Sequence, residues 1–140
     1  MKVCGVEIKG DDAIVCLVEK DEDGIELIAE KKGKVSVGGS KDSLSMRQFQ
    51  DDFLSLMTKW DVKNVIIKER MTKGKFAGGA MSFKIESAIQ LIRELEVTTV
   101  TSNELKKYEK GKFLPIEFEN TGLKAYQQQA YTSANFLLFA

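Results

Sequence analysis

The densest basic cluster that lies beside small residues in this sequence is Lys68, Arg70, Lys73 and Lys75, interleaved and followed by Gly74, Gly78 and Gly79. Glycines let a phosphate approach the backbone closely, and the start of a following helix favours anions. Lys73, Lys75, Gly78 and Gly79 are therefore the candidate phosphate-binding residues. A solvated, charged glycine-rich loop is the plainer alternative. Phe76, at the loop tip, is placed either to stack on a base or to cover the core or a partner subunit. Within the same cluster lies Glu69. Near the N-terminus Glu7 stands between Val6 and Ile8 in an apolar run, and each glutamate reads either as an ordinary strand charge or as a functional carboxylate.

The chain contains no histidine. Ser-His and Cys-His catalysis and histidine-ligated zinc are excluded, so any metal would be held by carboxylates, which favours magnesium or manganese. Cys4 and Cys16 lie in apolar runs on adjacent strands and read as buried thiols rather than a disulfide framework. Asp11, Asp12 and the run Asp21-Glu22-Asp23 lack calcium-loop spacing and read as turns.

The 21 basic and 21 acidic residues cancel to a net charge of zero. Nucleic-acid binders are usually basic, so only a local patch could support that role. A length of 140 residues with 43% hydrophobic and 30% charged residues fits a single globular domain over 1–140. No apolar stretch reaches the length of a membrane span, and no charged leader precedes an apolar signal core, so the cytoplasm is the expected address.

The elements that must position these residues follow from periodicity. Segments 3–8, 13–19 and 25–29 read as strands joined by short turns, the second apolar enough to be buried on both faces. Segment 31–41 reads as loop with a short extended piece at 35–37. A helix is expected from Ser45, where Ser45 and Gln48 match a capping box, with Phe49, Phe53, Leu56, Met57 and Trp60 on its inner face. A strand follows over 64–68. The next helix, over 80–95, has a core stripe of Met81, Ile85, Ala88 or Ile89, Ile92 and Leu95, and another strand spans 97–101. Thr101 and Glu104 offer a second capping box for a short helix ending before Gly111. Pro115 marks a connector, and a final helix is expected over 121–139. This order, βββαβαβα, implies a mixed sheet of about five strands with helices on both faces.

Two segments carry a family likeness. Ile66-Ile67-Lys68-Glu69-Arg70, with the loop Lys73-Gly74-Lys75-Phe76-Ala77-Gly78-Gly79-Ala80, resembles the fourth strand and following loop of RuvC-type Holliday-junction resolvases. Gly5-Val6-Glu7 resembles their first strand, where Gly-Ile-Asp carries a catalytic aspartate. Over nearly its full length the chain also resembles a bacterial protein family of unestablished function that shares the Val-Cys-Gly-Val-Glu start and the Thr-Lys-Gly-Lys-Phe-Ala-Gly-Gly loop.

The resemblance implies a ribonuclease H-like α/β fold and two-metal phosphodiester hydrolysis, with carboxylates holding two divalent ions about 4 Å apart. Glu7 and Glu69 are the catalytic and metal-ligand positions that carry over. Glu7 is one methylene longer than the family's aspartate. The family also places acidic residues on the last helix, whereas segment 122–140 has none. Tyr126 and Gln129 stand roughly at those places, beside Gln127 and Gln128. Asp11, Asp12, Glu86 and Glu119 are alternative carboxylates by proximity only. Two carboxylates leave two dications undercompensated, so Mg²⁺ or Mn²⁺ occupancy is expected to be weak or absent. The leading expectation is a RuvC-like domain with a degenerate acidic centre, binding DNA or RNA rather than cleaving it efficiently. An Mg²⁺- or Mn²⁺-dependent structure-selective nuclease and a non-catalytic protein-interaction module are the alternatives. The apolar end Leu137-Leu138-Phe139 either closes the core or supports a homodimer.

Overall fold

The computed structural model describes residues 1–71, 79–111 and 114–140. Nearly continuous buried runs build β1 (Lys2–Lys9) and β2 (Asp12–Asp21), which pair antiparallel from Lys2↔Glu19 to Lys9↔Asp12. Gly10, at φ +57°, makes the turn between them. Gly24, at φ +128°, makes the next turn, into β3 (Gly24–Leu27). The extended piece in the following loop is β4 (Lys34–Ser36). It pairs with β2 over Asp12–Ile14, while β3 pairs with β2 over Val18–Asp21, so the two short strands share one edge.

Helix α1 (Ser43–Lys59) begins two residues before the expected start. Asp42, not Ser45, is the N-cap: its carboxylate accepts the Ser45 N–H at 3.0 Å and the Ser40 hydroxyl at 2.8 Å. A charged acceptor at the cap position outcompetes the box, and Gln48 instead donates to Asp52. Strand β5 (Asn64–Lys68) runs parallel to β1, with Val6 opposite Ile67. Helix α2 (Ala80–Gln90) stops earlier than its apolar stripe. Ile92 and Leu95 remain buried because tight turns, Ile92 N–H to Ile89 and Leu95 N–H to Ile92, keep them facing inward. Strand β6 (Glu96–Val100) pairs parallel with β5. The sheet order is β3-β2-β1-β5-β6, a mixed sheet as expected.

Helix α3 (Ser102–Lys110) carries the anticipated box: Thr101 accepts from Glu104 N–H, and the Glu104 carboxylate accepts from Thr101 N–H, both at 3.1 Å. The last helix departs furthest from expectation. Gly122 sits at φ +76°, two single 3₁₀ turns occupy 118–120 and 125–127, and α4 spans only Gln128–Phe139. The buried Gln127 amide donates to the Val15 carbonyl at 2.8 Å, tying the chain to β2 before the helix begins.

Strand alternation sends side chains to two cores. Cys4, Val6, Ile8, Val65 and Ile67 pack with Phe49, Phe53, Ile85 and Ile89 of α1 and α2. Val3, Ile14, Cys16 and Val18 pack with Ala130, Tyr131 and Ala134 of α4, and Leu137 and Leu138 close this cluster. Ile66 and Val100 meet Leu105 of α3 and Phe136. Helices thus cover both faces. The two cysteines are free, buried and on opposite faces of the sheet. Burial pushes both thiols up, Cys16 to about 12. Among the described residues no helix is long and apolar enough to cross a membrane.

Candidate functional site

Glu7 and Lys68 are brought together by register. The parallel pairing ends with Val6 beside Ile67, and the next residues of the two strands, Glu7 and Lys68, meet through their side chains, with Gln129 of α4 on Lys68. Glu7 is only 7% exposed. Its Oε2 lies 3.7 Å from the Lys68 ammonium, which also donates to Gln129 Oε1 at 3.2 Å. Gln129 in turn donates through Nε2 to Glu109 at 3.3 Å. A buried carboxylate needs a counter-charge, and here a lysine from the neighbouring strand supplies it.

Above this pair a cleft of about 360 Å³ opens at the C-terminal end of β5, bounded by the start of α3 and the start of α4. Lys68, Glu69, Arg70, Ser102, Lys106 and Gln129 line it. Among the described residues the lining carries three cationic side chains and the Glu69 carboxylate, with Lys68 also paired to Glu7. The buried Nε of Arg70 has no hydrogen-bond partner among the described residues.

Glu69 follows β5 directly, is exposed, and donates its N–H to the Val100 carbonyl at 2.7 Å. Its charge reaches Glu86, a residue of α2 that is 9% exposed and accepts the Arg70 N–H at 3.5 Å. Burial holds the Glu86 carboxyl above the usual range, and Glu69 pushes in the same direction, against the Arg70 N–H and guanidinium. Asp11 and Asp12 are engaged by Lys41 at 2.7 Å and Lys34 at 3.7 Å. Of the glutamine-rich start of the last helix only Gln129 reaches the cleft. Tyr126 packs against Gly33, with Lys34 and Lys124 over its ring.

Gly79 caps α2 through its backbone, its carbonyl accepting the Ser82 N–H at 3.0 Å and hydroxyl at 2.6 Å. Lys73, Lys75, Phe76 and Gly78 lie outside the described residues. Ser102 and Lys106 were not anticipated as site residues. Lys106 follows the Thr101–Glu104 box by two residues, so its helix was visible in the sequence, but the helix's position beside β5 was not.

The arrangement bears on metal binding. Among the described residues no three histidine, cysteine, aspartate or glutamate side chains group in a way that could hold an ion. The oxygens of Glu7 and Gln129 that would face a cation already converge on the Lys68 ammonium. Among the described residues Glu7 thus offers a cation one carboxylate, already paired with an ammonium.

The chain is similar to Thermus thermophilus RuvC at a TM-score of 0.68 and 10% identity, covering 96% of this chain and 91% of that one. It is equally similar to T. thermophilus RuvC in complex with Holliday junction substrate, at 0.68 and 11%, covering 96% and 90%. Similarity to the yeast mitochondrial Holliday junction resolvase Ydc2 reaches 0.57 and 11%, covering 95% and 74%. The fold is therefore ribonuclease H-like, of the RuvC kind. The sequence matches no curated protein. The chain belongs to the family DUF3010, described as proteins of unknown function, which matches residues 1–137.

Proposed function

We propose that this protein is a nucleic-acid-binding domain on a RuvC-like fold, which holds phosphodiester groups in the cleft at the end of β5 and does not cleave them efficiently. The observation that carries the reading is the cleft itself, whose described lining gathers Lys68, Arg70 and Lys106 with Glu69, Lys68 being paired to Glu7, in a chain whose net charge is zero. A local concentration of cations in a concave site is what phosphate recognition needs. Lys73, Lys75, Gly78 and Gly79 are the further phosphate contacts that this reading proposes from the sequence. The fold adds support, since a protein with the same fold was solved with a Holliday junction substrate. DNA or RNA of branched or structured form is the ligand class.

The rival within this class is a Mg²⁺- or Mn²⁺-dependent nuclease with Glu7 and Glu69 as ligands. The Lys68 ammonium beside Glu7 and the acid-free last helix count against it.

A fluorescent four-way DNA junction titrated with protein across a salt series tests the binding. The double variant Arg70→Ala, Lys106→Ala is expected to weaken binding about tenfold or more and to flatten the log K against log salt slope by about two. The pair Lys73→Ala, Lys75→Ala is expected to act in the same direction. Unchanged affinity and slope in both variants would contradict the reading. A salt-insensitive interaction with a protein partner would point instead to an interaction module.

A further inference from the structure

We infer that Lys68 is a tethered cation that takes the place of a divalent metal ion at the Glu7 centre. The geometry is that of a small cation site already filled. Glu7 Oε2 and Gln129 Oε1, from β1 and α4, converge on one positive atom, at 3.7 and 3.2 Å. The Gln129 amide is oriented for this role, because its nitrogen is committed to Glu109 and its oxygen must then face Lys68. The lysine side chain is 20% exposed and Glu7's 10%, so the pair is largely withdrawn from solvent. The single carboxylate is neutralised by the single ammonium. A dication would have to expel that ammonium or sit beside it, and with one carboxylate it gains too little charge to do either.

The electrostatic work that a metal would perform at such a centre, balancing the charge of the carboxylate, is thereby built into the chain through the lysine that pairs with Glu7 and lines the cleft. The inference concerns cation binding at Glu7 and stands whether or not nucleic acid is the ligand of the cleft.

Mn²⁺ added to the isotopically labelled full chain tests it, through paramagnetic broadening of backbone amides and free Mn²⁺ read by electron paramagnetic resonance. In the wild type the amides of Gly5, Val6, Glu7 and Ile8 are expected to keep their intensity at equimolar Mn²⁺. In Lys68→Glu, which sets a second carboxylate beside Glu7, they are expected to vanish, with Mn²⁺ affinity raised about tenfold or more. Adding Glu7→Gln to that variant is expected to return affinity to the wild-type level. Broadening at Gly5 to Ile8 in the wild type would overturn the inference, and that result depends on no variant. A folded Lys68→Glu protein with wild-type affinity, or one indifferent to Glu7→Gln, would overturn it equally. If circular dichroism shows Lys68→Glu unfolded, Lys68→Gln takes its place, with a gain of about threefold expected and no gain overturning the inference.

Discussion

Glu7 and Lys68 form a pair whose worth depends on mutual burial. Removing one partner leaves the other charged and poorly solvated, whereas an exposed pair contributes little. A double-mutant cycle of Glu7→Gln and Lys68→Met, followed by urea unfolding, is expected to give a coupling of about 1 kcal/mol or more. Additive effects would show that the two do not interact. Glu30 provides a second, pH-dependent case. The Trp60 indole donates to it at 2.6 Å, the Lys32 N–H at 3.0 Å and Lys59 at 3.0 Å, and these hold its pKa near 2 against an ordinary 4.5. Folding lowers this pKa, so the stability it confers is complete above 4.5 and is lost as pH falls toward 2. Glu30→Gln is expected to cost about 1–2 kcal/mol at neutral pH. The difference from wild type should close across that acid window, and a constant difference would contradict the assignment. At this scale the sequence displays Glu7, Lys68 and Glu69 as residue types, but not which neighbour Glu7 meets. A one-residue shift in the pairing of β1 with β5 would bring a different residue alongside Glu7, and that register is set by non-local packing.

Elements locate the site through one close approach. A Cβ on Gly5 would lie 1.9 Å from the Ala130 carbonyl oxygen and 2.7 Å from the Ala134 nitrogen. Helix α4 therefore crosses directly on the backbone of β1, which brings Gln129 over Lys68. Gly5→Ala must push backbone against backbone, and is expected to destabilise the protein by about 3 kcal/mol or more in thermal or urea unfolding. A loss below about 1 kcal/mol would mean that the helix is free to shift. Local signals made several elements legible. The Thr101–Glu104 box marked α3, and the apolar run of β5 was read to its observed bounds. The last helix was overextended because its true start depends on Gln127 binding Val15, 112 positions away. No window around Gln127 contains that partner. The expected start of α1 failed for a smaller reason, since Asp42 and Ser45 are both good caps and the aspartate won.

Across the whole molecule the charge balance hides an uneven distribution. The net charge is zero, yet the end of β5 and the start of α3 gather Lys68, Arg70 and Lys106 in one cleft. The mixed-sheet class was readable from the order of hairpins and crossovers, because topology follows from element order. The cleft was not, because α3 and α4 reach it from distant parts of the chain. On the proposed function, the cleft holds phosphate through fixed cations, with Glu7 already paired to Lys68, and association is expected to depend on salt and not on divalent metal. The direct test is the affinity for a four-way DNA junction, measured by fluorescence anisotropy in chelator and in Mg²⁺ at matched ionic strength, with the same samples run for cleavage. The account predicts affinities equal within about twofold and an intact junction in both. Binding that requires Mg²⁺, or Mg²⁺-dependent cleavage abolished by Glu69→Gln, would contradict it.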